Sequence, residues 1–388
     1  MRVVKAFMRE DYESKKFGRA AEDVCADFTR AERILALNGP LMQFCMYACI
    51  LLISWLGARA IIASGNDAAI GLSTGELISL ITYIMQILMS LMMISMIFVM
   101  ISMSIANGRR IVEILDEKCD LTNPEQPEME VADGRIDFNH VSFSYKHGSG
   151  EETLHDIDLH IASGETIGVI GSTGSGKSTL ASLISRLYDV DEGSVCVGGR
   201  DVRSYDLDAL RNQVAVVLQK NVLFSGTILD NLRWGKEDAT EDECREVCRQ
   251  ACADEFIERF PNKYDTWIEQ GGSNVSGGQK QRLCIARALL KKPKVLILDD
   301  STSAVDTATD AKIRQAFATK IPGTTKLIIA QRISSVQDAD RILVLDDGTV
   351  KGFDTHENLL KENEMYREIY EAQTQGGGDF DEAGKEEA

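Results

Sequence analysis

The segment Gly171-Ser172-Thr173-Gly174-Ser175-Gly176-Lys177-Ser178 matches the pattern G-x-x-x-x-G-K-[ST] in full. The β-branched run 166–170 before it predicts a buried strand, and the run that begins at Thr179 predicts a helix opening at Ser178. In this context the glycines let backbone N–H groups and the helix N-terminus point at one anion. Lys177 then reaches the terminal phosphates, and the Ser178 hydroxyl ligates Mg²⁺. The sequence therefore predicts a nucleotide-binding α/β domain.

Composition limits the other possibilities. The 388 residues leave room for two or three domains, and 44% hydrophobic with 26% charged residues is ordinary for a folded protein. The formal net charge of −18, from 42 Lys+Arg and 60 Asp+Glu, disfavours nucleic acid as a partner. The nine cysteines are irregularly spaced, which favours a reducing compartment over a disulfide framework. We therefore predict a cytoplasmic nucleotide domain.

Two long apolar stretches precede that domain. Residues 40–58 and 77–108 carry no charge, so transmembrane spans are predicted over about 39–64 and 76–102. Basic residues before the first span and after the second predict that both ends are inside, in a multi-pass protein of the cell membrane. Two buried helices of a soluble protein are the alternative. The methionines of the second span either line an apolar cavity or pack against helices and lipid, and we favour packing.

Three further stretches carry chemistry. Residues 136–145 alternate like an edge strand, and Tyr145 at its end either stacks on a purine or is an ordinary surface tyrosine. The apolar run 295–298 ends at Asp299, where a carboxylate at the end of a parallel strand holds Mg²⁺. The segment 273–282, with paired glycines ahead of a helix over 283–290, predicts a second anion site. One nucleotide with two anion sites suggests that the second serves a nucleotide of another molecule.

These motifs together resemble the ATP-binding cassette of ABC transporters, over about residues 134–372. The matching positions are Tyr145 (adenine-stacking aromatic), 171–178 (Walker A), Gln219 (Q-loop), Ser276, Gly277, Gly278 and Gln279 (signature), Asp299 (Walker B) and 303–306 (D-loop). The resemblance implies a P-loop NTPase core with a helical signature subdomain. It also implies ATP and Mg²⁺ as ligands, with Ser178, Gln219 and Asp299 around the metal.

The region before the cassette looks like the last two membrane helices of an exporter half. The implied order is a cytosolic loop with a coupling helix (1–38), ending at Asn38-Gly39-Pro40, then two membrane helices (39–116), a linker (117–134), the cassette (135–372) and a disordered acidic tail (373–388). Since an exporter half in this family has six membrane helices, the resemblance suggests an N-terminally truncated chain or a separately supplied first part.

Two positions depart from the family pattern. Asp300 stands where the family has a catalytic glutamate, and Gln331 stands where it has the switch histidine. Asp is one methylene shorter than Glu, and Gln cannot act as a cationic partner of the γ-phosphate. The binding groups are retained and the hydrolytic groups are not. The combination resembles the degenerate-site subunit of a heterodimeric exporter.

Two function classes follow from the resemblance. The first is an ABC-type ATPase subunit with weak hydrolysis at its own site, whose signature motif completes the site of a second half-transporter with intact Glu and His. Its other partners are the lipid membrane and an exported substrate, which two helices do not identify. The second class is a nucleotide-binding regulatory or remnant protein without transport activity of its own.

A helix predicted over 241–260 carries Cys244, Cys248 and Cys252 at a spacing of four, on one face. Thr240 and Glu243 have the spacing of a capping box at its start. The three thiols suggest either a metal or redox site or small packing residues. We favour packing, because no fourth ligand is evident.

Overall fold

The computed structural model describes residues 2–67, 71–146, 152–300 and 305–375. The chain divides into two compact units, Met1–Lys118 and Cys119–Ala388.

The first unit is helical. Its helices are α1 Arg2–Ala6, α2 Glu10–Ser64 and α3 Thr74–Leu115. The predicted break at 38–40 is wrong, because α2 continues through Pro40. A proline removes one backbone hydrogen bond, and a long helix with apolar residues beyond that point tolerates the local loss.

The connection between α2 and α3 is built from side-chain caps. Gly65 ends α2 in the left-handed conformation, with φ of 63°. Asn66 Oδ1 accepts hydrogen bonds from the Thr74 backbone N–H at 2.9 Å and its hydroxyl at 2.7 Å. Ser73 and Glu76 form a capping box that opens α3. These local contacts fix a tight reversal between two helices.

Two segments of this unit are long and apolar enough to cross a membrane, Gly39–Ser64 and Thr74–Leu115. The predicted first span has the same bounds, and the helix of the second is longer than the predicted 76–102. Almost no residue of either segment is buried within the unit, and α3 has no buried residue. The methionines of α3 are therefore available to lipid or to further helices, and the choice between cavity lining and packing stays open.

The second unit contains an antiparallel sheet, a mainly parallel sheet and surrounding helices. Its strands are β1 Ile136–Phe143, β2 Leu154–Ile161, β3 Thr166–Gly171, β4 Glu192–Val197, β5 Arg200–Asp201, β6 Val214–Val217, β7 Gly226–Thr227, β8 Trp267–Ile268, β9 Val295–Asp299, β10 Thr325–Ile329, β11 Arg341–Asp346 and β12 Thr349–Asp354. Its helices are α4 Lys177–Ile184, α5 Leu207–Gln213, α6 Ile228–Arg233, α7 Glu241–Gln250, α8 Asp254–Ile257, α9 Gly277–Leu290, α10 Thr307–Lys320, α11 His356–Glu362 and α12 Glu364–Gln375.

The six-stranded sheet has the order β12-β11-β3-β10-β9-β6 and separates two hydrophobic cores. All its neighbouring pairs are parallel except β11 with β12. Alternate residues of one strand enter different cores: Leu296 and Leu298 pack with the helices α6–α9, whereas Ile297 packs with β1, β2, β4 and α4. A strand buried on both faces reads as a continuous apolar run, which is why 295–298 was recognisable.

The antiparallel sheet has the order β2-β1-β4-β5, so β1 is an interior strand and not the predicted edge strand. Its pairing with β2 shifts register on both sides of Val141, and its pairing with β4 shifts register between Asn139 and Ser142. The alternation misleads because the polar residues Asp137 and Ser142 are buried as well. The predicted linker also packs on this unit: Val131 is fully buried, and the Glu128 N–H donates to the Ser204 carbonyl at 2.9 Å.

The cysteine helix is shorter than predicted. α7 ends at Gln250, and Cys252 lies beyond it with φ of 52°, before α8 begins. Cys244 and Cys248 are buried in the core and Cys252 is partly buried, so the three thiols do not share one helical face. Burial raises the pKa of Cys248 to about 12. No three His, Cys, Asp or Glu side chains converge on a metal position among the described residues.

The C-terminal boundary of the cassette was also placed too early. Residues 373–375 belong to α12 and not to a disordered tail. The rest of the predicted tail, 376–388, lies outside the described residues.

Candidate nucleotide-binding site

The candidate site lies at the carboxyl ends of four adjacent parallel strands. β3 leads into the glycine-rich loop, β10 into Gln331, β9 into Asp299 and Asp300, and β6 into Gln219. Because parallel strands end at one edge of the sheet, segments far apart in sequence meet there. We call this set of residues, 171–179, 219, 299–300 and 331, the nucleotide edge.

The glycine-rich loop needs glycine for conformation and for space. Gly174 and Gly176 have φ of 88° and 93°, and a Cβ on Gly176 would lie 2.6 Å from Leu154 Cδ2. α4 begins at Lys177, one residue before the predicted start, with Gly176 as its N-cap. The Ser172 hydroxyl donates to Asp346 Oδ1 at 2.9 Å, and the Ser175 hydroxyl donates to the Ser172 carbonyl at 2.9 Å. The loop is therefore fixed against β11 as well as β3.

Lys177 lies inside the curve of this loop. Its ammonium donates to the Gly171 carbonyl at 2.9 Å and to the Ser175 hydroxyl at 3.2 Å. Burial lowers the pKa of Lys177, and the carboxylates of Asp299 and Asp300 counteract that shift. A lysine held among backbone carbonyls and N–H groups is ready to pair with a phosphate anion.

Asp299 is buried at the end of β9 and accepts a hydrogen bond from the Ser178 hydroxyl. Burial raises the pKa of Asp299, and the Ser178 hydrogen bond opposes the shift. These two oxygen donors fit Mg²⁺, which is commonly held by one or two carboxylates together with substrate phosphates. The amide nitrogen of Gln219, the third predicted ligand, donates a hydrogen bond to Asp300.

Asp300 joins the two other predicted catalytic positions. Its Oδ2 accepts one hydrogen bond from Gln219 Nε2 and one from Gln331 Nε2, each at 3.1 Å. Its backbone is in the left-handed region with φ of 46°, and its N–H donates to the Ile329 carbonyl at 2.9 Å. The structure thus brings Gln219, Asp300 and Gln331 together in one hydrogen-bonded group.

Tyr145 lies two residues after β1, beside the first turn of α4. Its hydroxyl shares a hydrogen bond with the Thr179 hydroxyl at 3.1 Å, and its ring makes edge contacts with Phe143 and Tyr188 at 5.0 and 5.1 Å. The side chain is 51% exposed. A fixed and half-exposed aromatic ring next to the phosphate loop suits stacking on a base better than a free surface tyrosine does.

The signature residues are elsewhere, at the N-terminus of α9. Ser276 is the N-cap: its hydroxyl accepts from the Gln279 N–H at 3.3 Å, and Gln279 Oε1 accepts from the Ser276 N–H at 2.9 Å. Gly277 and Gly278 belong to the first turn of the helix, which starts six residues earlier than predicted. We call residues 276–279 the signature end. Ser303 and Ala304 of the predicted D-loop lie outside the described residues, and Asp306 caps α10 by accepting from the Thr309 N–H.

Sequence reasoning missed two residues that support the nucleotide edge. Asp346 ends β11, the neighbour of β3, and holds Ser172. Gln373 in α12 bonds the backbone on both sides of Arg332. For Gln373 there was a usable signal, because it follows Tyr366 by seven residues on an amphipathic helix.

Comparison with known proteins identifies both units. Residues 154–303 match the family model described as ABC transporter, and residues 1–91 match the model of the ABC transporter transmembrane region. Together these segments cover more than half of the chain, and they confirm the predicted membrane region followed by a cassette.

Individual relatives agree with this assignment. The chain is 39% identical over 376 residues to the ABC transporter ATP-binding protein YfiB of Bacillus subtilis, covering 96% of this chain and 63% of that protein. It is 35% identical to the ATP-dependent lipid A-core flippase of Desulfotalea psychrophila, covering 96% and 64%. A solved bacterial Atm1-family ABC exporter with ATP bound superposes with a TM-score of 0.86 at 30% identity, over 96% of this chain and 64% of that one. The chain thus spans slightly less than two thirds of the length of these relatives.

Proposed function

The chain belongs to the ABC transporter family, and we propose that it is an ATP-binding exporter subunit whose own site retains ATP while hydrolysis takes place at a partner's site. The nucleotide edge supplies ATP binding through the loop amides, Lys177 and, with Mg²⁺, Ser178 and Asp299. The signature end completes the site of a second half-transporter that carries the catalytic Glu and His. The two subunits form a heterodimer in the cell membrane with the cassettes in the cytoplasm.

The observation that carries this proposal is the pairing of Asp300 with two amides. Gln219 and Gln331 both donate to the same carboxylate oxygen. An oxygen that already accepts two hydrogen bonds has little remaining capacity to accept one from an attacking water. A general base contributes about 10²- to 10⁴-fold to a rate, and an amide at position 331 cannot transfer a proton as an imidazole does. The site keeps the groups that bind and lacks the pair that activates water.

The signature end supports the second half of the proposal. Its capping box leaves the backbone N–H groups of the first turn at the positive end of the α9 dipole, without an acidic residue in that turn. An anion approaching α9 from another chain would meet partial positive charge, with no carboxylate in the first turn of the helix. This is the environment required to stabilise charge developing on a transferred phosphoryl group.

The proposed direction of transport, export, is supported by similar proteins and not by the membrane unit itself. One relative is described as a flippase and one solved relative as an exporter. From these relatives we propose for this chain that ATP binding and hydrolysis are coupled to transport across the membrane. The alternative, which experiment must exclude, is a nucleotide-binding regulatory protein without transport activity.

The test is restoration of the hydrolytic pair in the full chain. In lipid nanodiscs, Asp300→Glu combined with Gln331→His is expected to raise ATP turnover by about 10²-fold or more, while the wild-type chain binds Mg-ATP and turns over slowly. A Lys177→Ala version of the double variant provides the matched control, because it removes phosphate binding and should abolish the gain. Fast wild-type turnover, or no gain in a double variant that still binds ATP, would contradict the proposal.

A further inference from the structure

α12, the last helix that the structure describes, contacts the nucleotide edge through the side chain of Gln373. Gln373 Nε2 donates to the Gln331 carbonyl at 2.8 Å, and Gln373 Oε1 accepts from the Ile333 N–H at 2.8 Å. A single amide thus satisfies backbone groups on both sides of Arg332. Two bonds from one planar group fix both the position and the orientation of this backbone segment.

α12 is itself firmly held. Tyr366 is fully buried in the same core as Ile333, and its hydroxyl lies 2.7 Å from His356 Nδ1. Ile369 and Tyr370 pack against this core one turn further on. Since Gln373 follows Tyr366 by seven residues, it lies two turns along the same face of the helix. The amide is therefore presented by an anchored element and not by a loose terminus.

The backbone that Gln373 holds carries the side chain that joins Asp300. Gln331 donates to Asp300 Oδ2, the atom that also accepts from Gln219. A hydrogen-bonded series consequently runs from Gln219 through Asp300 and Gln331 to Gln373. A shift of the backbone at 331 would move the Gln331 amide away from Asp300 and from the terminal phosphate of a nucleotide held by the loop after β3.

We propose that Gln373 is a positioning residue for the backbone of 331–333, and that through this contact α12 sets the preference of the nucleotide edge for ATP over ADP. The proposal rests on the proposed function, because it takes the nucleotide edge to be an ATP site. Gln373 contacts the backbone of 331 and 333 and thereby positions the Gln331 amide near the terminal phosphate. Because ADP lacks that phosphate, we expect its affinity to be independent of Gln373.

The experiment compares Mg-ATP and Mg-ADP affinities of the full chain by calorimetry. Gln373→Ala should weaken ATP binding by about five- to tenfold, as expected for two lost hydrogen bonds, and leave ADP affinity unchanged. Gln373→Glu keeps the acceptor for Ile333 but loses the donor to the Gln331 carbonyl, and should not restore ATP affinity. Thr374→Ala is the matched control, because the bonds of this neighbouring hydroxyl to described residues stay within α12, at the Tyr370 and Glu371 carbonyls.

A double variant tests the route of the effect. If Gln373 acts through residue 331, Gln373→Ala added to Gln331→Ala should cause no further loss of ATP affinity. Parallel loss of ATP and ADP binding, an equal effect of Thr374→Ala, or additive effects of the two glutamine changes would overturn the proposal. If the wild-type chain failed to bind ATP, or bound it unaffected by Lys177→Ala, the proposed function would fail instead.

Discussion

The nucleotide edge and the signature end are the two proposed anion-binding features of one unit, and they are built in opposite ways. The nucleotide edge gathers residues 171–179, 219, 299–300 and 331 from four strands. The signature end consists of four consecutive residues that cap their own helix. A feature assembled from distant segments can keep its binding groups and change its catalytic ones separately. A local feature keeps its geometry whatever happens elsewhere.

The two features also differ in charge. The nucleotide edge combines the Lys177 ammonium with the carboxylates of Asp299 and Asp300, all of them partly or fully withdrawn from water. The signature end, residues 276–279, has no ionisable side chain and lies at the positive end of the α9 dipole. Changes of charge or pH should therefore act on the nucleotide edge, and changes of helix capping on the signature end.

The largest effect is expected for Lys177→Ala. Loss of the ammonium that faces the terminal phosphates should weaken Mg-ATP binding by about 100-fold or more, the range of a buried charged partner. Titration of the full chain with a fluorescent ATP analogue measures this. ATP binding that survives the change would show that the nucleotide edge is not the ATP site, and the contrast with the signature end would lose its basis.

A smaller effect is expected from pH. Under the proposed function Asp299 holds Mg²⁺ in its ionised form, and burial raises the pKa of this carboxyl. As the pH falls, the Mg²⁺-dependent gain in ATP affinity should disappear earlier than it would for an ordinary aspartate. In Asp299→Asn the Mg²⁺-dependent gain in ATP affinity should be small and independent of pH.

Acid unfolding through Asp299 would not mimic this loss of ATP affinity. A carboxyl whose pKa is raised in the folded state adds stability at low pH and loses it as the pH rises through that pKa. A decline in ATP affinity on acidification that is equal with and without Mg²⁺ would contradict the assignment of Asp299.

The smallest effect concerns the signature end. Ser276→Ala removes an N-cap and should lower the free energy of unfolding by about 1 kcal/mol, leaving ATP affinity at the nucleotide edge unchanged. Thr240→Ala removes the equivalent cap of α7 and serves as the control, because it forms the same capping box with Glu243. Chemical denaturation measures both. A loss of ATP affinity in Ser276→Ala beyond that in Thr240→Ala would mean that the two features are coupled within one chain.

Local sequence predicted much of this molecule. The glycine-rich loop and the apolar run ending at Asp299 each depend on consecutive residues. The start of α9 was placed too late, because the capping box of Ser276 and Gln279 was not recognised. The rule that parallel strands end at a common edge placed Asp299 beside the phosphate loop. Gln219 and Gln331 were assigned only through the family resemblance. Strand order, however, came only with the structure, which is why Asp346 was missed.

Other errors arose where tertiary context overrides a local signal. Pro40 reads as a helix end, yet α2 continues past it. Cys252 reads as the third member of a helical series, yet the backbone turns at that residue. Gln373 reads as part of a polar tail, and only the anchoring of α12 by Tyr366 gives its amide a fixed partner.

The most direct measurement uses mixed dimers of this chain. One copy carries Asp300→Glu with Gln331→His and provides a hydrolytic site, and the other copy is native and supplies its signature end. Two different tags allow the mixed species to be isolated. On the native copy, Gly278→Asp should abolish ATP turnover by placing a negative charge against the phosphate at the N-terminus of α9, whereas Asp300→Asn should leave the rate essentially unchanged. If Asp300→Asn were as damaging as Gly278→Asp, hydrolysis would depend on the nucleotide edge of the native copy, and the division of roles between the two features would be contradicted.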